Sequence, residues 1–206
     1  MYPKLRVLRV MLYHDYTRGG LSLQTMLNGL QQLETLHLYL HGLETPNIDL
    51  SSSHPHLRAF LLSVHPINQP AIHFLKHHPT IEYLNLKRAR GYILDDHDLP
   101  RLTTLHVDSS VEYTPALLSP GTQRCITHLH LQDLSHNIDF VFSVASTLRY
   151  LELAWKWVGG FHDCMTGFGP LLGQLPLLDE MRITLSSRSV LQPIDLVSEH
   201  PLISLD

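Results

Sequence analysis

The stretch LPRLTTLHV, at residues 99–107, contains the pattern on which the fold depends. Aliphatic residues occupy the first, fourth and sixth positions of a six-residue motif, here Leu102, Leu105 and Val107. Apolar residues that alternate with polar ones are typical of a short β-strand with one buried face. The residues at the third and fifth positions are then predicted to point away from the core.

The same motif recurs along the whole chain. Its copies begin at Leu5, Leu33, Leu57, Ile81, Leu102, Ile126, Leu148, Leu178 and, as a partial copy, Leu202. Neighbouring copies are 21 to 30 residues apart, mostly within the range of leucine-rich repeats. One copy cannot bury its apolar face alone, so the copies must stack. We therefore predict one α/β domain over residues 1–206. It is a leucine-rich-repeat horseshoe with a concave parallel sheet of about eight or nine short strands and a convex side of helices, turns and loops.

Prolines and apolar spacing predict what lies between the strands. A proline often precedes the motif by two positions, as at Pro55 and Pro100, and is predicted to end the preceding segment and force an extended entry into the strand. Apolar residues at helical spacing over 23–30 predict a helix, and Pro70 suits the first turn of another. Short helices or helical turns are also expected at 139–146 and 170–175.

Composition excludes several classes of protein. Nineteen acidic residues against fifteen lysines and arginines give a formal net charge of −4, which argues against nucleic acid as the partner. No apolar run approaches the roughly 20 residues that a membrane-spanning helix needs. Two cysteines, Cys125 and Cys164, and five asparagines without a glycosylation sequon favour a reducing compartment, either cytoplasm or nucleus.

The repeats resemble those of fungal F-box and leucine-rich-repeat proteins. The phrases that carry the resemblance are LPRLTTLHV at 99–107, LETLHL at 33–38 and LRYLEL at 148–153. The resemblance covers essentially the whole chain. It implies that the repeats capture a substrate protein, while a separate N-terminal F-box docks on a ubiquitin ligase.

The chain departs from that family in two ways. The first motif begins at Leu5, which leaves no room before it for an F-box, so we expect a fragment or a shortened relative. The ninth repeat position also lacks the usual asparagine or cysteine, so the turns must satisfy their polar groups in another way.

The third and fifth positions of the central motifs place polar and aromatic side chains on the predicted concave face. They are Tyr83, Asn85, His106, His128, His130, Tyr150 and Glu152. Aromatic side chains on rigid strands suit a binding surface, and the concave face is the usual recognition surface of such solenoids. We predict that these residues bind a protein partner. The alternative is that they are solvated strand residues that meet no partner.

Sixteen histidines raise a second possibility, a histidine-based metal site or enzyme. His106 and His130 share a motif position in neighbouring copies, so their backbones are expected about 5 Å apart, and His128 lies about 6.6 Å from His130 along one strand. Imidazoles at such distances can reach a zinc ion. We find no cysteine or acidic ligand beside them in the motif, and therefore predict no metal and no cofactor. A pH-sensitive surface is the favoured interpretation.

No catalytic residue is predicted. Cys125 and Cys164 have no neighbouring base and orienting group in the sequence. The histidine-rich segments at 54–56 and 77–78 are interpreted as loops.

An aromatic insert separates the seventh and eighth motifs. Trp155, Trp157, Phe161 and Phe168 lie in it. Either they cover the edge of the solenoid as a small core, or Trp155 and Trp157 form an exposed anchor for a partner.

Overall fold

The described residues form nine strands with turns and short helices between them. A computed structural model describes residues 4–13, 25–41, 54–63, 69–87, 95, 97–107, 124–132, 138–157, 170, 172–187 and 203–204. The strands are β1 Val7–Tyr13, β2 Thr35–His41, β3 Ala59–Ser63, β4 Tyr83–Lys87, β5 Thr104–Val107, β6 His128–Gln132, β7 Tyr150–Trp157, β8 Glu180–Ser187 and β9 Ile203–Ser204. Between them lie helix α1, Gln69–Lys76, and helix α2, Ile138–Ser143. Residues 25–28 are also helical.

The nine strands form one sheet in sequential order, and β1 to β8 are parallel. Each of these eight strands begins at the third motif position, and that residue pairs with its equivalent in the next copy, as Tyr83 pairs with Thr104. A parallel sheet whose strands follow one another in this way is the arrangement of a solenoid. The prediction of a solenoid with eight stacked parallel strands is confirmed.

The ninth strand departs from the prediction. It pairs antiparallel with β8, through Ile203 with Ile183 and Ser204 with Arg182. The partial motif at Leu202 therefore does not continue the parallel sheet, and its assignment as a ninth equivalent strand is wrong. An antiparallel neighbour needs no crossover back along the core, whereas another parallel strand would.

The core lies beneath the sheet, on the side of the fourth and sixth motif positions. In β2 to β7 the residues at these positions are at most 6% exposed: Leu36, Leu38, Phe60, Leu62, Leu84, Leu86, Leu105, Val107, Leu129, Leu131, Leu151 and Leu153. Phe74 of α1 packs on Phe60 with 4.9 Å between ring centroids, so α1 lies on this side of the sheet. Each buried leucine or phenylalanine contributes about 1.5–3 kcal/mol through removal from water. We call the opposite side, which carries the third and fifth positions, the open face.

A backbone hydrogen-bond ladder joins every repeat to the next just before its strand begins. The carbonyl oxygen at the second motif position accepts from two N–H groups of the following repeat. Glu34 O, for example, accepts from Arg58 N at 2.9 Å and from Ala59 N at 3.0 Å. The same pair of bonds occurs at all seven junctions between the first and eighth motifs, at 2.8 to 3.1 Å. This ladder holds the equivalent positions of all eight repeats in line.

The prolines lie in β-turns that lead into the motif. The N–H of Leu57 donates to His54 O at 3.0 Å across Pro55, and the N–H of Leu102 donates to Leu99 O at 3.0 Å across Pro100. Proline therefore occupies the second residue of a turn, where its fixed φ fits, rather than an extended entry as the sequence suggested.

His54 and His78 are buried, with 0% and 2% of their surface exposed, so their interpretation as loop residues missed a structural role. His78 Nδ1 lies 2.7 Å from Phe74 O, and its Nε2 accepts the backbone N–H of His54 at 3.0 Å. His78 is therefore neutral, with its proton on Nδ1. His54 Nδ1 in turn lies 3.3 Å from Leu30 O. The two imidazoles connect the turns of three successive repeats.

Other side chains continue this role at the remaining turns. Arg124, 5% exposed, donates from Nε to Asp98 O at 2.9 Å and also to Asp95 O. Thr80 Oγ1 donates to Leu57 O at 2.7 Å, and Thr147 Oγ1 donates to Ile126 O at 2.8 Å, each in the preceding repeat. Each of these contacts satisfies a backbone carbonyl group of the preceding repeat.

Shortening a fourth-position residue should destabilise the whole stack. Leu84→Ala should lower the free energy of unfolding by about 2–5 kcal/mol, because the cavity would lie in a fully buried site. Thr104→Ala, on the open face of the next strand, should change it by about 0.5 kcal/mol or less. Urea unfolding followed by circular dichroism measures both, and equal effects of the two substitutions would contradict the assignment of faces.

The buried imidazoles should make stability depend on pH. Burial is the main cause that lowers the pKa of His54 and His78 below the usual value of 6.5. In the unfolded state a histidine takes up a proton below about pH 6.5, so the free energy of unfolding should fall from about pH 7 to 5. His78→Gln, which keeps a donor and an acceptor, should show a smaller loss.

Urea-unfolding midpoints across that pH range measure the effect. His77→Gln is the matched control, because the neighbouring His77 is exposed to solvent in the folded state. An identical pH dependence of wild type and His78→Gln would contradict a contribution from the buried pair.

Candidate functional site

The structure brings the predicted binding residues together on four adjacent strands, β4 to β7. At the fifth motif position, Asn85, His106, His130 and Glu152 follow one another across the sheet. At the third position, Tyr83, Thr104, His128 and Tyr150 form a second row. We call the seven residues predicted from the sequence the open-face patch: Tyr83, Asn85, His106, His128, His130, Tyr150 and Glu152.

Ring stacking connects the patch from one end to the other. His106 and His130 lie face to face, with 3.5 Å between ring centroids and 18° between ring planes. Tyr83 extends the series at 5.0 Å from His106, and Tyr150 at 5.2 Å from His130. His128 stacks on Tyr150 at 5.6 Å. The rings therefore form one continuous array across the four strands.

Glu152 lies at the polar centre of the patch. Its Oε2 is 2.8 Å from His130 Nδ1 and accepts a hydrogen bond from the Tyr150 hydroxyl at 3.0 Å. The expectation that no acidic group lies beside the histidines is therefore wrong. The strand register contained the signal, because Glu152 occupies the same motif position as His130 in the next repeat.

Burial keeps His130 neutral beside this carboxylate. Desolvation is the largest single cause that lowers the pKa of His130, Glu152 raises it, and electrostatic interactions with His128 and Arg182 lower it further, so that the pKa lies below its usual value. Neutral His130 then donates from Nδ1 to Glu152, and its Nε2 carries a lone pair. Burial, followed by the hydrogen bond to Glu152, raises the pKa of Tyr150. Neither contact neutralises the negative charge of Glu152.

A cavity of about 160 Å³ opens beside this network. Its lining residues are Asn85, His106, Val107, His130, Leu131, Gln132, Glu152 and Ala154. Water occupies about 30 Å³ per molecule in the liquid, so the cavity has room for a group the size of a side chain. Glu152 is the one carboxylate among these residues, and they include no lysine or arginine.

Two predicted contact groups differ from the rest. Asn85 is only 8% exposed, and its Nδ2 donates to the Tyr83 hydroxyl at 3.4 Å, so it supports the Tyr83 side chain more than it contributes exposed surface.

Trp155 and Trp157 belong to β7, where their backbones pair with Leu185 and Ser187, and not to the insert after it. The side chains of both tryptophans lie outside the described part of the chain, as do Phe161, Phe168 and Cys164. The anchor role of the tryptophans stays a prediction.

Neither a metal-binding cluster nor a membrane-spanning helix occurs in the described part of the chain. Among its residues, no group of three or more histidine, cysteine, aspartate or glutamate side chains is arranged to hold a metal ion. Within the same residues, no helix is long and apolar enough to span a membrane.

No family model, no curated protein and no solved structure matches this chain. The sequential parallel sheet and the open-face patch therefore define the class of architecture to which the protein belongs. It is a solenoid of short parallel strands with a polar and aromatic open face.

The link between His130 and Glu152 predicts a measurable titration. Glu152→Gln should lower the pKa of His130 further, because the carboxylate raises it both through its charge and through its hydrogen bond. Titration of the His130 ring protons by NMR measures the change. Glu34→Gln, which removes an exposed carboxylate near the other end of the sheet, should leave the value as in wild type. A raised or unchanged pKa in Glu152→Gln would show that the contact does not form in solution.

Proposed function

We propose that the protein is an interaction module, a leucine-rich-repeat horseshoe that binds a partner protein through its open face, which is the concave side of the horseshoe. The observation that carries the proposal is the continuous array of rings and hydrogen bonds from Tyr83 to Tyr150. Tyrosine is among the residues that contribute most energy to protein interfaces.

The rigidity of the patch supports this function. Side chains already ordered by mutual stacking lose less conformational entropy when a partner arrives. The strands that carry these side chains are held in register by the backbone ladder, and the alternate residues of the same strands are buried in the core. The patch therefore presents a preformed surface and not a set of mobile side chains.

Apolar residues extend this surface toward the first strand. Val7 and Met11 lie on the open face of β1 and are 49% and 56% exposed. Strands β2 and β3 separate them from the open-face patch, and exposed apolar side chains are common in recognition surfaces. The proposed interface thus runs across the sheet, with its most specific contacts at β4 to β7.

The resemblance to F-box proteins supports a narrower proposal, that the captured partner is a substrate for ubiquitination. In that family the repeats bind the substrate and a separate segment forms the F-box, so the proposal for this chain concerns only the binding of the substrate. Low cysteine content and the absence of glycosylation sequons support a location in the cytoplasm or nucleus. Ubiquitination of a captured partner, lost when the patch is altered, is the expected result in cells.

Peptide selection tests the binding surface without knowledge of the partner. Peptides selected from a random displayed library on the purified protein should lose at least about tenfold in affinity for the triple variant Tyr83→Ala, His128→Ala, Tyr150→Ala, because three aromatic contacts disappear together. Fluorescence polarisation of the synthesised peptides measures the affinities.

The matched control removes two exposed histidines at the end of α1, away from the open face. His73 lies on α1 and His77 directly follows it, with 4.0 Å between their ring centroids, and His73→Ala with His77→Ala should leave the affinities unchanged. Circular dichroism establishes that both variants are folded. Peptides that bind the triple variant as tightly as wild type would refute the patch as the binding surface.

A further inference from the structure

The cavity beside the open-face patch has the chemistry of a site for a cation. Its one carboxylate, Glu152, receives both of its hydrogen bonds on Oε2, so Oε1 accepts none from the described residues. Gln132, in the same lining, contributes a side-chain carbonyl, and neutral His130 contributes the lone pair of Nε2. The cavity thus combines a negative charge with further hydrogen-bond acceptors.

Two imidazole rings form part of the cavity wall. The stacked imidazoles of His106 and His130 line it, and the ring of Tyr150 lies 5.2 Å from that of His130. Planar cations stack favourably on such rings, and the attraction grows where water is partly excluded. An ammonium ion, which is compact and strongly hydrated, uses a flat wall less well than a guanidinium group does.

We propose that this cavity takes the guanidinium group of an arginine side chain from the partner, which donates to Glu152 Oε1 while its plane lies against the imidazole rings. This assignment rests on the proposed function, because the arginine belongs to the bound protein. The partner is then expected to present an exposed arginine in the segment that binds the open face.

The charged groups around the cavity have a net negative charge, which favours an added cation. On the neighbouring strand, the backbone of Arg182 pairs with Glu152, but the Arg182 guanidinium lies 3.5 Å from Glu180 Oε1. Arg182 is not among the lining residues. Glu152, Glu180 and Arg182 together carry one net negative charge, which an incoming guanidinium would neutralise.

Proton uptake by the patch should compete with the arginine. The titratable or charged groups that face His130 are His106 on β5, His128 on its own strand, Tyr150 and Glu152 on β7, and Arg182 on β8. When His130 gains a proton, its charge compensates that of Glu152 and its Nε2 becomes a donor. The affinity for a guanidinium group should therefore fall on acidification.

Titration with a minimal probe tests the site directly. Nα-acetyl-arginine N-methylamide, added to the intact protein at pH 7.5, should produce saturable shifts in the NMR signals of Glu152, Ala154 and His130 at millimolar concentrations. Glu152→Gln should weaken this binding at least about tenfold, because it removes a charge-assisted hydrogen bond. The Glu34→Gln variant should bind the probe as wild type does.

Two analogues and one change of pH complete the test. The citrulline analogue has nearly the same shape without the charge and should not saturate, and the lysine analogue should bind more weakly than the arginine probe. Probe affinity should also decrease from about pH 7.5 to 5.5 as His130 takes up a proton. Equal binding of the arginine and citrulline probes, or equal binding to wild type and Glu152→Gln, would overturn the assignment.

The peptide selection separates this inference from the function on which it rests. Selected peptides that depend on the patch are expected to contain an arginine whose replacement by citrulline weakens them at least about tenfold. Patch-dependent peptides without such an arginine would overturn the guanidinium site and leave the interaction function standing. Peptides whose affinity does not depend on the patch residues would overturn the proposed function. Binding of the arginine probe would then test the guanidinium site independently of that function.

Discussion

The in-register pairing of parallel strands is the constraint on which the rest of this structure depends. Each third-position residue pairs with its equivalent in the next repeat, and a pair of backbone hydrogen bonds at the second position fixes that register at every junction. A shift of one residue would exchange the buried and open faces of a strand. The same register that stacks leucines in the core therefore also aligns His106, His130 and Glu152 on the opposite side.

A solenoid of this kind must satisfy the polar backbone groups of its turns without water. His54 and His78 meet this requirement by hydrogen bonding between successive turns, and Arg124 does the same farther along the chain. An imidazole both donates and accepts when neutral, so it can replace an asparagine amide in such a role. The consequence is a core that contains titratable groups, and so a fold whose stability depends on proton concentration.

Burial acts on histidines both in the turns and on the open face, with different results. In the turns, it favours neutral rings whose hydrogen bonds lie inside the protein. On the open face, it favours a neutral His130 next to Glu152, so the carboxylate keeps an uncompensated charge at the edge of a cavity. One effect therefore acts within the stack, and the other leaves on the open face the charge that the proposed arginine would meet.

The sequence by itself determined the eight parallel strands, their places along the chain and the face on which their alternating side chains lie, because alternation and spacing act locally and repeat along the chain. The membership of the open-face patch followed from the same rule. Only the tertiary structure decided that His54 and His78 are buried, because their burial depends on α1 and on the turn of the next repeat. It also decided that β9 runs antiparallel and that the rings of His106 and His130 stack at 3.5 Å, since chain direction and side-chain conformation depend on neighbours distant in sequence.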